Sequence, residues 1–301
     1  MEYVELGKTG LMVSPLGLGL AEITRHKETE TDEDGGRVLN AALDCGINFL
    51  DTAACYGQTE EIIGRTVAHR RDEYVLASKC GHVTGGATGE PWTARTIEES
   101  IDRSLRRLRT DHLDVVQLHS CDVDVLERGK VIEAVVRAKD AGKTRFAGYS
   151  GDNEAARWAI DSGHFQTLQT SYSVTDQYAR RHLLGPAAEA GMGVIVKRPV
   201  ANGAWGKPSS PSSYADEYFS RAQAMAEMGP VPGEPDDPIL LALGFIFASP
   251  EVSTAIVGTH NASHLLANVT MVEEALPIPA EAVDELRRRF DLVGGDWPGL
   301  M

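Results

Sequence analysis

Residues 47–57 read Ile-Asn-Phe-Leu-Asp-Thr-Ala-Ala-Cys-Tyr-Gly, an apolar run that turns polar at Asp51. A short apolar run bounded by polar residues is typical of a strand that is buried on both faces of a parallel sheet. The polar residues after it then lie at the carboxyl end of that strand, where parallel α/β folds place their functional groups. The pattern therefore predicts a buried strand that presents Asp51, and Tyr56 beyond it, to a site.

Seven further runs of this kind alternate with helical patterns along the whole chain. The eight predicted strands are Leu16–Leu20, Ile47–Asp51, Tyr74–Lys79, Asp114–His119, Thr144–Tyr149, Thr167–Gln169, Val194–Lys197 and Val252–Val257. Eight strand–helix units without a long linker fit one closed barrel better than the alternative, an open doubly wound sheet. We predict an α/β fold: a (β/α)8 TIM barrel in a single domain over residues 1–301, with an N-terminal β-hairpin in residues 3–14 and extra C-terminal helices.

One helical pattern is clear enough to predict its start and its surface pairs. Its apolar face comprises Ile97, Ile101, Leu105 and Leu108. A capping box is predicted at Thr96-x-x-Glu99, where each side chain would satisfy a backbone N–H of the first turn. Helical ion pairs are predicted between Glu99 and Arg103 and between Asp102 and Arg106.

Composition excludes several classes of function. The chain has 301 residues, 42% of them hydrophobic, and a formal net charge of −15. Such an acidic surface disfavours nucleic acid and anionic membranes as partners. The longest apolar run, Ile239 to Ala248, is too short to cross a bilayer and predicts a buried helix. The four cysteines are far apart and the start of the chain resembles no signal peptide, so we expect free thiols, no metal and a cytoplasmic protein.

Three consecutive predicted strands bring ionisable side chains to the same edge of the barrel. Asp51 and Tyr56 follow the second strand, Lys79 ends the third and His119 ends the fourth. A tyrosine hydroxyl has a reference pKa of about 10, and a nearby ammonium stabilises its phenolate and lowers that pKa. We expect Asp51 to hold Lys79 and Lys79 to tune Tyr56 as a general acid and base, while His119 binds a substrate oxygen.

Each of these residues also has a purely structural interpretation. A strand-end Asp can cap a helix, a Lys can face solvent and a His can be a buried core residue. The arrival of all four side chains at adjacent strand ends disfavours those interpretations together. This argument alone leaves the reaction class open.

The motif Asp51-Thr-Ala-x-x-Tyr56-Gly57-x-x-Glu60, with Gly64 after it, closely resembles the signature of the aldo-keto reductase superfamily. Residues 6–14, 16–19, 104–114 and 142–150 also resemble that family, in order along the chain. The resemblance implies a nicotinamide nucleotide bound in an extended pose on the barrel, without a Rossmann domain. It also implies Tyr56 as the catalytic acid and base, tuned by Lys79 and Asp51, with His119 orienting the carbonyl group.

The resemblance implies a set of cofactor contacts as well. Ser150 and Gln169 match positions that hold the nicotinamide carboxamide, and Asn268 matches one that touches adenine, with an exposed helix residue as its structural alternative. The full set of expected cofactor positions is Gly19, Leu20, Asp51, Ser150, Gln169, Lys197, Arg198, Gly258, Thr259, His264 and Asn268.

Three departures from the family pattern bear on the cofactor. Gly151 stands where many relatives have Asn, and Lys197 stands where an aromatic residue often stacks on the nicotinamide. Lys197 and Arg198 are interpreted either as ligands of a cofactor phosphate or as solvent-facing residues. Residues 256–268 contain no Arg or Lys to meet a 2′-phosphate, only His260 and His264. NADP(H) is the family default, and NAD(H) or dual use is the alternative.

Substrate selection has the weakest signal. Tyr56 and His119 are expected in the substrate pocket with Ile23 and Trp92, while Trp205 and Trp297 are candidates by location only. Core packing is the alternative for each tryptophan. The stretch Gly81–Pro91 is interpreted as a lid or as a plain surface loop.

These observations predict an NAD(P)(H)-dependent oxidoreductase that interconverts a small aldehyde or ketone and its alcohol, as a monomer or small homo-oligomer. One alternative is a sugar or alcohol dehydrogenase that works oxidatively with NAD. Two non-redox alternatives are a Schiff-base aldolase with Lys79 as nucleophile and a regulatory barrel that binds nucleotide without rapid turnover.

Overall fold

The computed structural model describes residues 1–24, 32–84 and 89–300. Eight parallel strands close into a barrel in the order β10-β3-β4-β5-β6-β7-β8-β9. The strands are β1 (Val4–Glu5), β2 (Met12–Val13), β3 (Leu16–Gly19), β4 (Phe49–Asp51), β5 (Val75–Cys80), β6 (Leu113–His119), β7 (Thr144–Ser150), β8 (Thr167–Ser171), β9 (Gly193–Lys197) and β10 (Val252–Gly258). The predicted TIM barrel is confirmed, and the strand bounds differ from the predicted ones by a few residues.

Helices surround the barrel and follow its last strand. They are α1 (Asp32–Asp44), α2 (Thr59–Thr66), α3 (Ala94–Leu108), α4 (Val123–Glu127), α5 (Lys130–Asp140), α6 (Asn153–Ser162), α7 (Tyr178–His182), α8 (Leu184–Glu189), α9 (Asp216–Ala226), α10 (Pro238–Phe247), α11 (Ala262–Thr270) and α12 (Ala280–Val293). Short 3-10 segments lie at Ala21–Thr24, Ala68–Glu73, Ala201–Gly203 and Ser213–Ala215, and one π turn lies at Met271–Ala275. The expected C-terminal helices are α11 and α12.

Two local predictions hold. Strands β1 and β2 pair antiparallel as an N-terminal hairpin, with Val4 opposite Val13. The apolar run from Ile239 forms the buried helix α10. Asp237 caps the start of this helix by accepting a hydrogen bond from the Ile239 N–H at 2.7 Å. Within the described ranges no helix is both long and apolar enough to cross a membrane.

The predicted start of α3 is wrong by one turn. Thr93, whose backbone is extended, is the N-cap and accepts from the Thr96 N–H at 3.2 Å. Thr96 therefore lies inside the helix, and its hydroxyl donates to the Glu90 carbonyl instead of capping. The predicted surface pairs are also replaced. Glu99 pairs with Arg95 and Asp102 with Lys143, which are the cations whose side chains reach them.

Strand register places the functional strand ends side by side. Lys79 of β5 lies opposite Gln117 of β6, His119 of β6 opposite Ser150 of β7, and Ser150 opposite Gln169 of β8. Because all eight strands are parallel, their carboxyl ends share one rim of the barrel. Closure of the sheet thus positions residues that are more than 100 positions apart in sequence, such as Asp51 and Gln169.

Candidate active site

A cavity of about 860 Å³ opens at the carboxyl rim of the barrel. Most of the site residues predicted from sequence line it: Gly19, Leu20, Asp51, Tyr56, His119, Ser150, Gln169, Lys197, Arg198, Gly258, Thr259 and His264. Volumes of this order are typical of small-molecule and cofactor sites. The barrel therefore places these predicted residues around one cavity, while Lys79 and Asn268 lie outside its lining.

Lys79 forms a buried ion pair at the base of this cavity. Its Nζ lies 2.5 Å from Asp51 Oδ2 and donates to the Thr52 carbonyl at 2.9 Å. The same ammonium lies 4.9 Å from the centre of the Tyr56 ring. Two further contacts fix the carboxylate, since Gln169 Nε2 donates to Asp51 Oδ1 at 2.8 Å and Gln117 Nε2 at 3.2 Å. The structure thus brings Asp51, Lys79 and Tyr56 together.

The pKa of Tyr56 departs from the sequence expectation. Burial raises the pKa of the phenol above its usual value, and Lys79 only partly offsets that effect. Lys79 does lower the pKa of Tyr56, as expected from the sequence, but the net shift is upward because desolvation of the phenolate outweighs the ammonium. Burial opposes the charge of Lys79 too, but Asp51 and Tyr56 overcome it and raise the pKa of Lys79. At neutral pH the site holds an ammonium beside a protonated phenol.

His119 lies on the cavity wall as a neutral imidazole. Burial, followed by the charges of Lys79 and other nearby cations, lowers its pKa to about 2. Its ring centroid is 6.0 Å from that of Tyr56 and 4.9 Å from that of His82. His82 in turn contacts Trp92 edge to face at 5.0 Å. A neutral imidazole beside the phenol can donate one hydrogen bond to a substrate oxygen.

Ser150 and Gln169 form a buried hydrogen-bonded pair next to Asp51. The Ser150 hydroxyl donates to Gln169 Oε1 at 2.9 Å, and the Gln169 amide donates to the Asp51 carboxylate. Both side chains line the cavity. A carboxamide ligand here would find a hydroxyl and an amide whose orientation is already fixed.

Lys197 is committed to a second buried ion pair. Its Nζ lies 2.8 Å from Asp152 Oδ2, so the solvent-facing alternative for Lys197 is wrong. Burial lowers the pKa of Lys197, and Asp152 opposes that shift without cancelling it. Asp152 Oδ1 also accepts from the Ser171 N–H at 2.7 Å and from the Thr170 hydroxyl.

Arg198 does not face solvent either. Its Nη1 donates to Ser171 Oγ at 2.9 Å and to the Leu300 carbonyl at 3.0 Å, and its guanidinium lies over the Tyr214 ring at 5.4 Å. The C-terminal segment therefore reaches the cavity wall through Arg198. Both cations line the cavity, but each already has partners within the protein.

The loop after β9 holds a strained backbone. Arg198, Ala201 and Asn202 all have positive φ, at 58°, 49° and 53°, followed by Gly203 at 72°. Left-handed non-glycine residues cost energy and cluster at ligand sites. Asn202 lines the cavity, and its Nδ2 is buried without a hydrogen-bond partner in the described structure. An unpaired buried amide beside Lys197 and Arg198 fits the oxygens of a bound nucleotide.

Comparison with known proteins places this geometry in a family. The model of the aldo/keto reductase family matches residues 15–288. The chain belongs to the aldo/keto reductase family. The family resemblance seen in the sequence is thereby confirmed. The protein is an NAD(P)H-dependent oxidoreductase, and its family reduces small carbonyl compounds with a nicotinamide cofactor.

Individual relatives cover almost the whole of this aldo/keto reductase. It is 28% identical to the L-galactose dehydrogenase of Arabidopsis thaliana over 314 residues, which span 99% of this chain and 97% of that protein. It is 29% identical to an uncharacterized oxidoreductase of Bacillus subtilis, over 99% and 98% of the two chains. Among solved structures, the holo form of an aldo-keto reductase from Bacillus halodurans matches with a TM-score of 0.82 and 28% identity, over 96% of both chains.

The far end of the reductase cavity is formed by the end of β10 and the start of α11. Gly258, Thr259, His260 and His264 line it, together with Glu22, which follows the adjacent strand β3. A Cβ on Gly258 would come within 2.9 Å of the Glu22 side chain, so glycine keeps this approach open. Asn268 is buried in α11 outside the lining residues, so its alternative as an exposed helix residue is wrong.

Of the residues expected in the substrate pocket, Tyr56 and His119 line the cavity, whereas Ile23 and the three candidate tryptophans lie outside its lining. Ile23 is buried in the core. Trp205 donates to Glu234 at 3.2 Å, and Trp297 packs edge to face on Phe290. Trp92 covers Gly81, where a Cβ would lie 1.8 Å from its ring, and reaches His119 only through His82. Position along the chain did not distinguish core tryptophans from pocket walls. Residues 85–88 of the Gly81–Pro91 stretch lie outside the described residues. The interpretation of this stretch as a lid or a surface loop therefore stays a prediction.

Several lining residues were not identified from sequence. They are Glu22, Cys55, Ser120, Asp152, Asn202, Ser212 and Tyr214. Asp152 could have been found, because it follows the end of β7 as Asp51 ends β4. Tyr214 comes from an irregular stretch whose path depends on tertiary packing, and no local pattern marks it.

Proposed function

We propose that Tyr56 is the general acid and base of carbonyl reduction by this enzyme. The observation that carries the proposal is the Asp51–Lys79 ion pair, which holds an ammonium 4.9 Å from the Tyr56 ring on the cavity side of the barrel. A buried, protonated phenol beside a fixed ammonium can give up its proton, because the ammonium stabilises the phenolate that forms.

The proposed steps use the geometry of the described side chains. His119, neutral at working pH, donates to the carbonyl oxygen and orients it toward Tyr56. When bound, the reduced nicotinamide supplies hydride to the carbonyl carbon. Tyr56 then gives its proton to the developing alkoxide, and Lys79 stabilises the phenolate. In the oxidative direction the phenolate takes the proton back, so that direction needs deprotonated Tyr56.

The proposed cofactor contacts follow from the lining of the cavity. Ser150 and Gln169 would bind the carboxamide, and Asn202 would donate to a phosphate oxygen. The remaining lining residues proposed as contacts are Gly19, Leu20, Asp51, Lys197, Arg198, Gly258, Thr259 and His264. Asn268 lies outside that lining, and its proposed contact with adenine rests on the family resemblance alone. Lys197 and Arg198 would act as cations already fixed by protein partners. NADP(H) is the family default, and NAD(H) is the alternative that the histidines near Gly258 favour.

A second candidate is a dehydrogenase that oxidises a sugar-like alcohol. Two observations favour it. The relative named L-galactose dehydrogenase matches 99% of this chain. Hydroxyl-bearing side chains, among them Ser120, Ser212 and Tyr214, line the cavity and suit a polyhydroxylated substrate. The two candidates share Tyr56 and differ in preferred direction and cofactor.

Titration of the purified enzyme with NADPH and with NADH, followed by fluorescence, tests the proposal first. We expect saturable binding of at least one nucleotide, and turnover of the bound reduced form when a panel of aldehydes and ketones is added. Turnover of NAD⁺ with aldoses or alcohols alone would favour the dehydrogenase. If neither nucleotide bound at about millimolar concentration, a range much weaker than ordinary cofactor affinities, the proposed cofactor site would be wrong.

A further inference from the structure

Cys55 has a contact that the reaction as described does not use. Its Sγ lies 3.5 Å from Nδ1 of His119, and both residues are half-buried on the cavity wall. Cys55 immediately precedes Tyr56, so the same loop that delivers the phenol also brings a thiol to the imidazole. The contact joins residues 64 positions apart in sequence.

The position of the ring proton of His119 determines which of its nitrogens can donate a hydrogen bond. A neutral imidazole has one N–H, and the hydrogen bond made by one ring nitrogen decides where that proton lies. Burial keeps His119 neutral, and the positive charges of Lys79, Lys197 and Arg198 add to that effect. His82 packs against the ring at 4.9 Å and interacts with the His119 backbone. Among the described residues, Nδ1 of His119 contacts Cys55 Sγ at 3.5 Å.

The thiol is suited to be the donor in this contact. Burial raises the pKa of Cys55, and Lys79 offsets this only in part, so the sulfur keeps its proton at neutral pH. A thiol is a weak hydrogen-bond donor, and an unprotonated imidazole nitrogen is a better acceptor than a thiol sulfur. Donation from Sγ to Nδ1 requires that Nδ1 carry no proton, and the ring proton must then be on Nε2.

We propose that Cys55 is a positioning residue that holds His119 in the Nε2–H tautomer, the form whose remaining nitrogen can donate to the substrate carbonyl oxygen. The inference rests on the proposed role of His119 in carbonyl binding. Since an apolar side chain at position 55 could not donate to Nδ1, it would leave the tautomer unspecified and a fraction of the enzyme unable to orient the carbonyl.

Nitrogen-15 NMR of histidine-labelled enzyme tests the inference in the wild type. The nine histidines of the chain give overlapping signals, so the His119 resonances are assigned by their loss in His119→Gln. We expect the shift pattern of a neutral ring protonated at Nε2. A wild-type His119 protonated at Nδ1 would overturn the inference without reference to activity.

Variants add a kinetic readout. In Cys55→Ala we expect a mixed tautomer and a fall in kcat/KM for the carbonyl of about three- to tenfold, the size of one modest hydrogen bond, with nucleotide affinity unchanged. Cys55→Ser, which keeps a donor, should recover most of the loss. Cys45→Ala is the matched control, because the thiol of Cys45 is also half-buried but bonds to the Ala42 carbonyl in α1. Cys55→Ala with an unchanged tautomer and wild-type kcat/KM would overturn the inference.

The two proposals fail in different ways. If Tyr56→Phe kept full turnover, the acid–base assignment would be wrong while the His119 spectrum remained as expected. If the spectrum showed the opposite tautomer, the role of Cys55 would be wrong while the role of Tyr56 stood.

Discussion

Two buried Asp–Lys pairs lie at the same rim of the barrel, and only one of them serves the proposed chemistry. Asp51 and Lys79 are 2.5 Å apart, and Asp152 and Lys197 are 2.8 Å apart. All four side chains are largely buried. In each pair the aspartate carboxylate accepts further hydrogen bonds, so neither is an isolated ion pair. The ion-pair geometry alone does not distinguish a catalytic pair from a structural one.

The difference lies in what surrounds each ammonium. Lys79 has two acidic neighbours, Asp51 and Tyr56, and they raise its pKa against burial. Lys197 has one acid, Asp152, and an adjacent cation, Arg198, so burial prevails and lowers its pKa. Lys79 can therefore stabilise a second anion, the phenolate of Tyr56. The charge of Lys197 is neutralised by Asp152, and this ion pair fixes the wall of the cavity.

Loss of Lys79 should have the largest effect. We expect Lys79→Met to reduce kcat about 10²- to 10³-fold, because general acid–base catalysis by a positioned group contributes factors of that size. Nucleotide affinity, measured by fluorescence titration, should change little. A variant that folds, binds nucleotide and turns over within threefold of the wild type would break the distinction between the two pairs.

Loss of Lys197 should instead appear as a loss of stability. Lys197→Met leaves the Asp152 carboxylate buried without its cation, and we expect the free energy of unfolding to fall by about 3 kcal/mol. Chemical denaturation at neutral pH measures this, and kcat with saturating nucleotide should fall far less than in Lys79→Met.

The pH dependence of that stability loss has a defined sign. Burial disfavours the Asp152 carboxylate, but Lys197 and the Ser171 N–H overcome it and lower the pKa of Asp152 below its usual value. A lowered folded-state pKa contributes stability above about pH 4 that is lost as the pH falls. The difference between Lys197→Met and the wild type should therefore shrink in acid. A constant difference would mean that Asp152 is not the cause.

The pH–rate profiles of the two reaction directions should diverge. The pKa of Tyr56 lies above its usual value of about 10. Reduction uses the protonated phenol, so its rate should be flat through neutral pH. Oxidation uses the phenolate, so its rate should rise about tenfold per pH unit toward alkaline pH. Equal profiles in the two directions would remove Tyr56 from the proton transfer.

The smallest expected effect concerns the 2′-phosphate. If Lys197 is committed to Asp152, a cation near Gly258 has to provide the selectivity for NADP(H). His264→Arg should then strengthen NADPH relative to NADH about fivefold, as a partly exposed charge pair contributes about 1 kcal/mol. The ratio of the two dissociation constants measures it. An unchanged ratio would place the phosphate elsewhere.

Much of this structure is predictable from sequence. The barrel follows from eight short apolar runs, since each must be buried on both faces and parallel closure buries them all. Asp51, Tyr56, Lys79 and His119 follow because strand ends of a parallel barrel share one rim. Ser150 and Gln169 on β7 and β8 were expected from the resemblance to the aldo-keto reductase family instead.

The remaining features depend on distances that local patterns do not contain. The partner of Lys197 lies 45 positions away and is chosen by the pairing of β7 with β8 and of β8 with β9. The pKa of Tyr56 depends on how deeply the phenol is buried, which reverses the shift expected from Lys79 alone. The start of α3 at Thr93 rather than Thr96 reflects backbone conformation in the preceding turn, where either threonine could cap.

The most direct test of the acid–base assignment is a single-turnover comparison of the wild type and Tyr56→Phe with saturating reduced nucleotide and a reactive aldehyde. The variant removes one hydroxyl and keeps the ring that lies beside Lys79. We predict that the nucleotide affinity is within twofold of the wild type, while the rate at which the bound reduced nucleotide is oxidised falls by about 10²- to 10⁴-fold. A variant that consumes the bound nucleotide at the wild-type rate would contradict the assignment of Tyr56 as the proton donor.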